Sequence, residues 1–161
     1  MCYTTDMKHG ACKNFYHRLA LYACIALWLS MIWRLSAQPA MQSEQTSGGI
    51  SMRLAALIFG TPTEAQYDLM ERLVRKGAHM AEFALLAMLC CSALEAEACR
   101  RPVPLALGLT ALAAAADELH QLFVPGRAGL MGDVCIDVSG GILGLLLLLL
   151  LRRGEWRTLL P

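Results

Sequence analysis

Four apolar segments, each close to the length that crosses the hydrocarbon layer of a membrane, constrain the fold more than any other feature. They cover about residues 19–33, 77–94, 103–124 and 133–151. The chain of 161 residues is 57% hydrophobic and only 17% charged, which is too apolar for an ordinary soluble domain. The sequence therefore predicts an all-α fold, a polytopic helical bundle with four transmembrane helices that is integral to the membrane.

The first apolar segment is the shortest, and it has two interpretations. Arg34 follows it and can extend its side chain to the membrane interface, which brings the segment to spanning length. A cleaved secretory leader is the alternative, but no clean small-x-small cleavage site precedes Gln38. The sequence favours an uncleaved first transmembrane helix.

The region between the first and second spans is predicted to contain a loop and a surface helix. Residues 40–60 begin Ser-, Gly- and Gln-rich and end in a short apolar patch, which is typical of a loop. Thr61, Pro62 and Glu64 match a helix start with a capping box. Apolar residues follow at helical spacing as far as Val74. We therefore expect an amphipathic interfacial helix that leads directly into the second span.

Basic residues near the ends of the spans indicate the orientation of the bundle. In a four-span protein the N-terminus, the loop at 95–102 and the C-terminus lie on one side, and that side carries a modest excess of Lys and Arg. The sequence thus predicts a cytoplasmic N-terminal segment at 1–18, a membrane domain at 19–151 and a cytoplasmic C-terminal tail at 152–161.

Polar residues interrupt the third span near one end, where Asp117-Glu118-Leu119-His120-Gln121 follows a long apolar run. A carboxylate within a bilayer costs about 2.5–3.5 kcal/mol on insertion scales, so two in succession need partners. At about 100° per residue, the four polar side chains fall within one arc of about 160°. They should therefore face the protein interior.

The second and fourth spans carry ionisable residues at a similar depth, because helices rise by about 1.5 Å per residue. These residues are His79 and Glu82 in the second span and Asp133 and Asp137 in the fourth. Gly140 and Gly144 share a face with the two aspartates, and their spacing allows a neighbouring helix to approach closely. The sequence predicts that the three spans form one polar pocket at this end of the bundle.

The acids of the predicted pocket outnumber the cations near it. The available cations are Arg75, Lys76 and Arg127. Buried charges that approach each other should pair. The excess of acids leaves room for a shared proton, a cation or a cationic ligand.

Several ordered motifs resemble those of the VanZ-like family of small bacterial membrane proteins. The motifs are Ser36-Ala37-Gln38-Pro39, then Lys76-x-x-His79-x-x-Glu82-Phe83, then Asp117-Glu118-x-x-Gln121-x-Phe123-x-Pro125-Gly126-Arg127-x-Gly129-x-x-x-Asp133-Val134-x-x-Asp137-x-x-Gly140-x-x-x-Gly144. The resemblance covers about residues 19–150. It implies a multi-pass protein of the bacterial cytoplasmic (inner) membrane with a role at the cell envelope. The family takes its name from a protein associated with resistance to the glycopeptide teicoplanin, and no particular reaction comes with the resemblance.

One interpretation of the predicted pocket is an enzyme that acts on an envelope lipid or a lipid-linked cell-wall precursor. Glu118 or Asp117 would be the general acid or base, and His79 would shuttle protons. Arg127 and Lys76 would hold a phosphate. The remaining candidate binding residues are Glu82, Gln121, Asp133 and Asp137.

Two alternatives stay open: a binding or accessory protein without chemistry, and a small proton-linked transporter. Four helices are few for a carrier unless the chain forms a homo-oligomer, and the ionisable residues stop at one end of the bundle. A metal-dependent enzyme is a further variant, although no resident metal or cofactor is predicted. Its candidate ligands are His79, Glu82, Asp117, Glu118 and His120.

Composition gives no indication of a nucleic-acid partner. The formal net charge is +1, and no basic stripe with interleaved aromatic residues is present. The seven cysteines form no CxxC pair, so we expect them to be small packing residues in membrane helices.

Overall fold

The structure, a computed structural model, contains five helices and no strand within the residues that it describes. It describes the backbone of residues 3–127 and 131–158, and the side chains of 14–39, 41–42, 47–127 and 131–152. Helices α1, α3, α4 and α5 each contain a segment long and apolar enough to cross a membrane. This confirms the predicted all-α bundle with four spans. The helices are α1 (Tyr3–Ser36), α2 (Ala40–Phe59), α3 (Glu64–Ala96), α4 (Pro102–Gln121) and α5 (Met131–Thr158).

Residues 40–60 are largely helical, and the predicted loop is wrong. Helix α2 follows Pro39 and ends before Gly60, whose φ of 75° lies in the left-handed region that favours glycine. The Ser- and Gly-rich part of α2 has low helix propensity, but its small side chains allow close packing against α3. Ser51 and Ala55 are fully buried, so tertiary contacts outweigh the local preference. The part at Ser47–Phe59 is a shorter apolar helix.

Helix α3 contains both the predicted surface helix and the predicted second span, without a break. Its capping residues are two positions later than predicted: the Thr63 backbone N–H donates to the Gln66 side chain at 2.9 Å. The chain reverses at residues 60–63, so the helix begins only after that turn. With 33 residues, α3 is about 50 Å long and exceeds the hydrocarbon layer of about 30 Å. Its charged first turns are therefore the part suited to the membrane interface.

Helix α3 is the centre of the bundle and contacts all four other helices. Its most extensive contact is with α5, which runs parallel to it. Gly140 lies against the backbone of Met80, and Gly144 against the backbone of Ala84. At the far end Arg152 donates to Ser92 at 3.2 Å, so the pairs 80/140, 84/144 and 92/152 keep one register along both helices. The predicted packing role of the two glycines is confirmed.

Helix α4 runs antiparallel to α3 and α5 and ends in the predicted tight turn. The Arg127 backbone N–H donates to the Val124 carbonyl at 3.1 Å, and Gly126 has a φ of 76°. Residues 128 and 129 of the predicted turn lie outside the described residues. The chain thus returns after α4 to the end of the bundle where α1 finishes, which we call the site end.

Candidate functional site

A cavity of about 340 Å³ lies at the site end between α3, α5 and the end of α4. Seven of the nine predicted site residues line it, and these are Lys76, His79, Glu118, Gln121, Arg127, Asp133 and Asp137. Asp117 and Glu82 do not. The convergence of the three spans that the sequence predicted is therefore present. The lining also contains Arg72, Arg75, Gly126 and Ile136.

Lys76 of α3 and Asp133 of α5 form an ion pair that joins the two helices at the site end. The Lys76 Nζ donates to the Asp133 Oδ1 at 2.8 Å. Both side chains remain partly exposed, so the pair contributes little to stability. Its consequence for the site is that the charge of Lys76 is already balanced.

Asp117 is buried behind the cavity wall, where it joins α1 to α4. It is 2% exposed, and its Oδ2 accepts hydrogen bonds from Ser36 Oγ at 2.7 Å and from Gln121 Nε2 at 2.9 Å. The carboxylate therefore positions Gln121, which does line the cavity. A group that acts on a ligand in the cavity must reach it, so the geometry favours Glu118 over Asp117 as a reacting acid.

Ser36 is the contact that residue-by-residue reasoning missed. It is fully buried at the last position of α1, far along the chain from its partners. The signal was present in the sequence, because Ser36 opens the Ser36-Ala37-Gln38-Pro39 motif. No spacing rule connects that motif to α4, so its partner was invisible before the fold was known.

Helix α1 closes one side of the site through further contacts. The Trp33 ring stacks on His120 with ring centroids 4.3 Å apart. The Arg127 Nε donates to the Gln38 carbonyl at 3.2 Å, and the Trp28 indole donates to the Glu82 carbonyl at 2.9 Å. The first predicted span is thus part of the site's framework.

His79 and Glu82 lie on one face of α3, as the helical spacing predicted. The His79 Nδ1 is 3.9 Å from the Glu82 Oε2, which is too far for a hydrogen bond. Within the described part of the chain, both of these buried atoms and the Asp137 Oδ2 have no hydrogen-bond partner. Buried polar atoms are nearly always satisfied; of these three residues, His79 and Asp137 line the cavity, where a ligand or water can reach them.

Three arginines line the cavity in addition to Lys76. They are Arg72, Arg75 and Arg127. Partial burial lowers the pKa of the Arg127 guanidinium, the nearby positive charge of Arg75 lowers it further, and the carboxylates of Asp117, Glu118 and Glu82 partly oppose this shift. Guanidinium groups that repel each other in one cavity provide a favourable environment for an anion.

The proposed ligand set for a metal is not assembled in the structure. Among the described residues, no group of three or more His, Cys, Asp or Glu side chains is arranged to hold a metal ion. Of the five candidate ligands only His79 and Glu118 line the cavity, while His120 is stacked on Trp33. We do not propose a metal centre.

The opposite end of the bundle is tied by a different set of charges. Arg152 of α5 pairs with Glu95 of α3, and Arg18 of α1 pairs with Glu97 at 3.2 Å. These groups are paired and partly exposed. They join helix ends and give no indication of a second ligand site.

A family model described as VanZ/LLP1 matches residues 20–152. The chain belongs to the VanZ/LLP1 family. The resemblance inferred from the ordered motifs is therefore confirmed over most of the chain, and the four apolar helices make this family member a multi-pass membrane protein. Comparison with curated proteins and with solved structures gives no match.

Proposed function

We propose that this VanZ/LLP1 protein binds the polar headgroup of an envelope lipid or a lipid-linked cell-wall precursor in the site-end cavity. The observation that carries the proposal is a charged cavity at one end of an otherwise apolar membrane bundle. Ionisable groups within membrane segments are costly and generally functional. A membrane lipid supplies the polar headgroup and can reach the site from the bilayer.

The size of the cavity supports a headgroup as the occupant. Pockets that enclose whole drug-sized molecules measure about 300–1,000 Å³, and this cavity of about 340 Å³ is at the lower end. A glycopeptide antibiotic is far larger than that. We therefore propose that any contribution to teicoplanin resistance is indirect and follows from changed envelope chemistry.

Chemistry on the bound headgroup is the second candidate function. Glu118 and His79 both line the cavity, and they are residue types that serve as general acid, base or proton shuttle. Asp117 would influence Glu118 and His79 only indirectly, because it positions Gln121 and holds α1 against α4. An enzyme and a pure binding protein thus share one site and differ in the role of Glu118.

A proton-linked transporter receives less support. A relay needs polar groups across the membrane, but the core between the two charged ends is made of apolar side chains such as Phe83, Leu86, Ala106 and Leu145. Thr110, which is buried at that level, donates to the carbonyl of its own helix at 2.8 Å. A pocket at one end suits binding better than conduction.

We expect the site end to face outward, with both termini cytoplasmic in a bacterial inner membrane. The test is labelling of single-cysteine variants by a membrane-impermeant maleimide in intact cells. Pro125→Cys lies in the exposed turn at the site end, and Arg100→Cys lies in the exposed loop at the opposite end. We expect position 125 to be labelled and position 100 to react only after the cells are permeabilised. The reverse pattern would place the cavity on the cytoplasmic side.

Comparative mass spectrometry of envelope lipids and cell-wall precursors tests the function. The strains are a deletion, the wild type and Glu118→Gln, with the two proteins expressed at matched levels. We expect a lipid or precursor to accumulate in the deletion strain. Accumulation of the same species with Glu118→Gln would assign chemistry to Glu118. A wild-type profile with Glu118→Gln would assign binding alone, and an unchanged profile in the deletion would contradict an envelope-lipid function.

A further inference from the structure

The cavity has two chemically different levels, which follow from the helix registers. Because residues 80 and 140 are level on the parallel helices α3 and α5, Asp133 is level with residue 73, and Asp137 lies about 6 Å deeper toward the middle of the bundle. Arg72 is near the level of Asp133, and Arg127 lies in the turn beyond the end of α4. Arg72 and Arg127 thus lie toward the rim, Arg75 lies between the two levels, and Asp137 forms part of the floor.

The rim is a cluster of three guanidinium groups, and the carboxylates of Asp117, Glu118 and Glu82 lie close enough to Arg127 to attract it. Once Lys76 and Asp133 neutralise each other, the remaining cations of the cavity are Arg72, Arg75 and Arg127, and its remaining acids are Glu118 and Asp137. Arg127 is held in place by its Nε bond to the Gln38 carbonyl. Guanidinium groups bind phosphate oxygens in a fork geometry that an ammonium group cannot provide.

The floor is an acidic group without a described donor. Asp137 lines the cavity, is only 2% exposed, and has an Oδ2 atom without a hydrogen-bond partner in the described part of the chain. Ile136 lies beside it in the lining, which at this depth also contains the polar side chain of His79. A hydroxyl or ammonium group of a ligand would satisfy this oxygen, whereas a second anion would not.

We propose that the cavity takes a phosphorylated headgroup in one fixed orientation. Arg72, Arg75 and Arg127 hold the phosphate at the rim, and Asp137 accepts a hydrogen bond at the floor from a hydroxyl or ammonium group of the same headgroup. This inference rests on the proposed lipid-binding function and specifies its ligand. The shared chemistry is a phosphate joined to a donor group, which both phospholipids and polyprenyl-linked precursors carry.

The test is lipid binding by the purified full-length protein in detergent, measured by native mass spectrometry. The probes share their acyl chains and differ in the headgroup: phosphatidylethanolamine, phosphatidylglycerol, phosphatidic acid and diacylglycerol. We expect the wild type to bind the three phosphate lipids at least tenfold more tightly than diacylglycerol. Equal binding of diacylglycerol would overturn the phosphate assignment. Polyprenyl monophosphate is compared with phosphatidic acid to identify the lipid class. The lipid that binds more tightly indicates whether the ligand is a polyprenyl-linked precursor or a phospholipid.

The rim is tested by the double variant Arg75→Gln/Arg127→Gln and by the single variant Arg72→Gln, whose side chain is exposed. We expect the double variant to lose affinity for every phosphate lipid at least tenfold, and Arg72→Gln to lose it severalfold. Arg53→Gln is the matched control, because Arg53 is exposed on α2 and does not line the cavity. If Arg72→Gln and the folded double variant bind as Arg53→Gln does, the rim assignment is wrong.

The floor is tested by Asp137→Asn. We expect this variant to bind phosphatidylethanolamine and phosphatidylglycerol at least fivefold more weakly, and phosphatidic acid, which lacks the donor group, as the wild type does. Retained binding of phosphatidic acid also shows that the variant is folded. An equal loss for all three lipids would overturn the floor assignment.

Failure of this inference can be told apart from failure of the proposed function. If lipids bind to the wild type regardless of the arginines and of Asp137, only the two-level recognition is wrong. If no lipid binds and the deletion strain has an unchanged lipid profile, the proposed function fails as well.

Discussion

Replacing Gly140 with valine is expected to lower the free energy of unfolding by about 3 kcal/mol, the upper end of the usual cost of an overpacked core. A Cβ atom at this position would lie 2.8 Å from the Met80 Cα and would also meet the Met80 carbonyl group. Backbone atoms of α3 cannot move aside as a flexible side chain can. The two helices would have to separate, and the change is measurable as thermal unfolding in detergent.

Gly108→Ala is the control for the Gly140 variant. Gly108 also lies within a membrane helix, but a Cβ there meets nothing within 4 Å. We expect this variant to be as stable as the wild type or slightly more stable, because alanine favours the helix by about 0.5–1 kcal/mol. If Gly140→Val had the same melting temperature as Gly108→Ala, the close parallel packing of α3 and α5 would be contradicted.

Replacing Asp117 with alanine is expected to be the second most damaging change. It would leave the buried Ser36 hydroxyl without its acceptor, and the Gln121 amide with only its 3.4 Å bond to the Ser36 Oγ. An unsatisfied buried donor costs about 1–3 kcal/mol, and the loss of the stronger Gln121 bond adds to that cost. We expect a clearly lowered melting temperature in detergent, with Asp117→Asn less affected because its amide oxygen can still accept.

The Asp117 experiment separates positioning from catalysis. Ser36→Ala removes one partner and leaves the carboxylate in place, so we expect a smaller loss of stability in the same direction. If Asp117→Ala melted as the wild type does but reproduced the lipid profile of the deletion strain, Asp117 would be a reacting group. That result would return it to the role that the sequence alone suggested.

Much of the fold was readable from the sequence because the membrane imposes a simple rule of length and hydropathy. The four spans, the face of α3 that carries His79 and Glu82, and the packing of Gly140 and Gly144 all follow from helical periodicity. The cavity was anticipated for a similar reason. Charged side chains at one depth on three membrane helices avoid the lipid by facing each other.

The parts that could not be predicted depend on contacts between distant segments. Helix α2 was missed because Ser and Gly indicate a loop by local propensity, while their small size suits packing against α3. The burial of Asp117 away from the cavity was missed because it depends on Ser36, which helical spacing alone cannot connect to α4. The ion pair of Lys76 with Asp133 could not be predicted either, because it depends on the register between α3 and α5; the predicted binding role of Lys76 stays a prediction.

The parallel arrangement of α3 and α5 has a consequence for the synthesis of the protein. When the ribosome has produced α3 and α4, the helix that covers Met80 and Ala84 of α3 has not yet been made. The last helix brings the glycines that fit this surface, together with the partner of Lys76 and the floor of the cavity. The site-end cavity therefore forms only when translation is nearly complete, and a chain that stops after α4 would lack the α5 wall of that cavity.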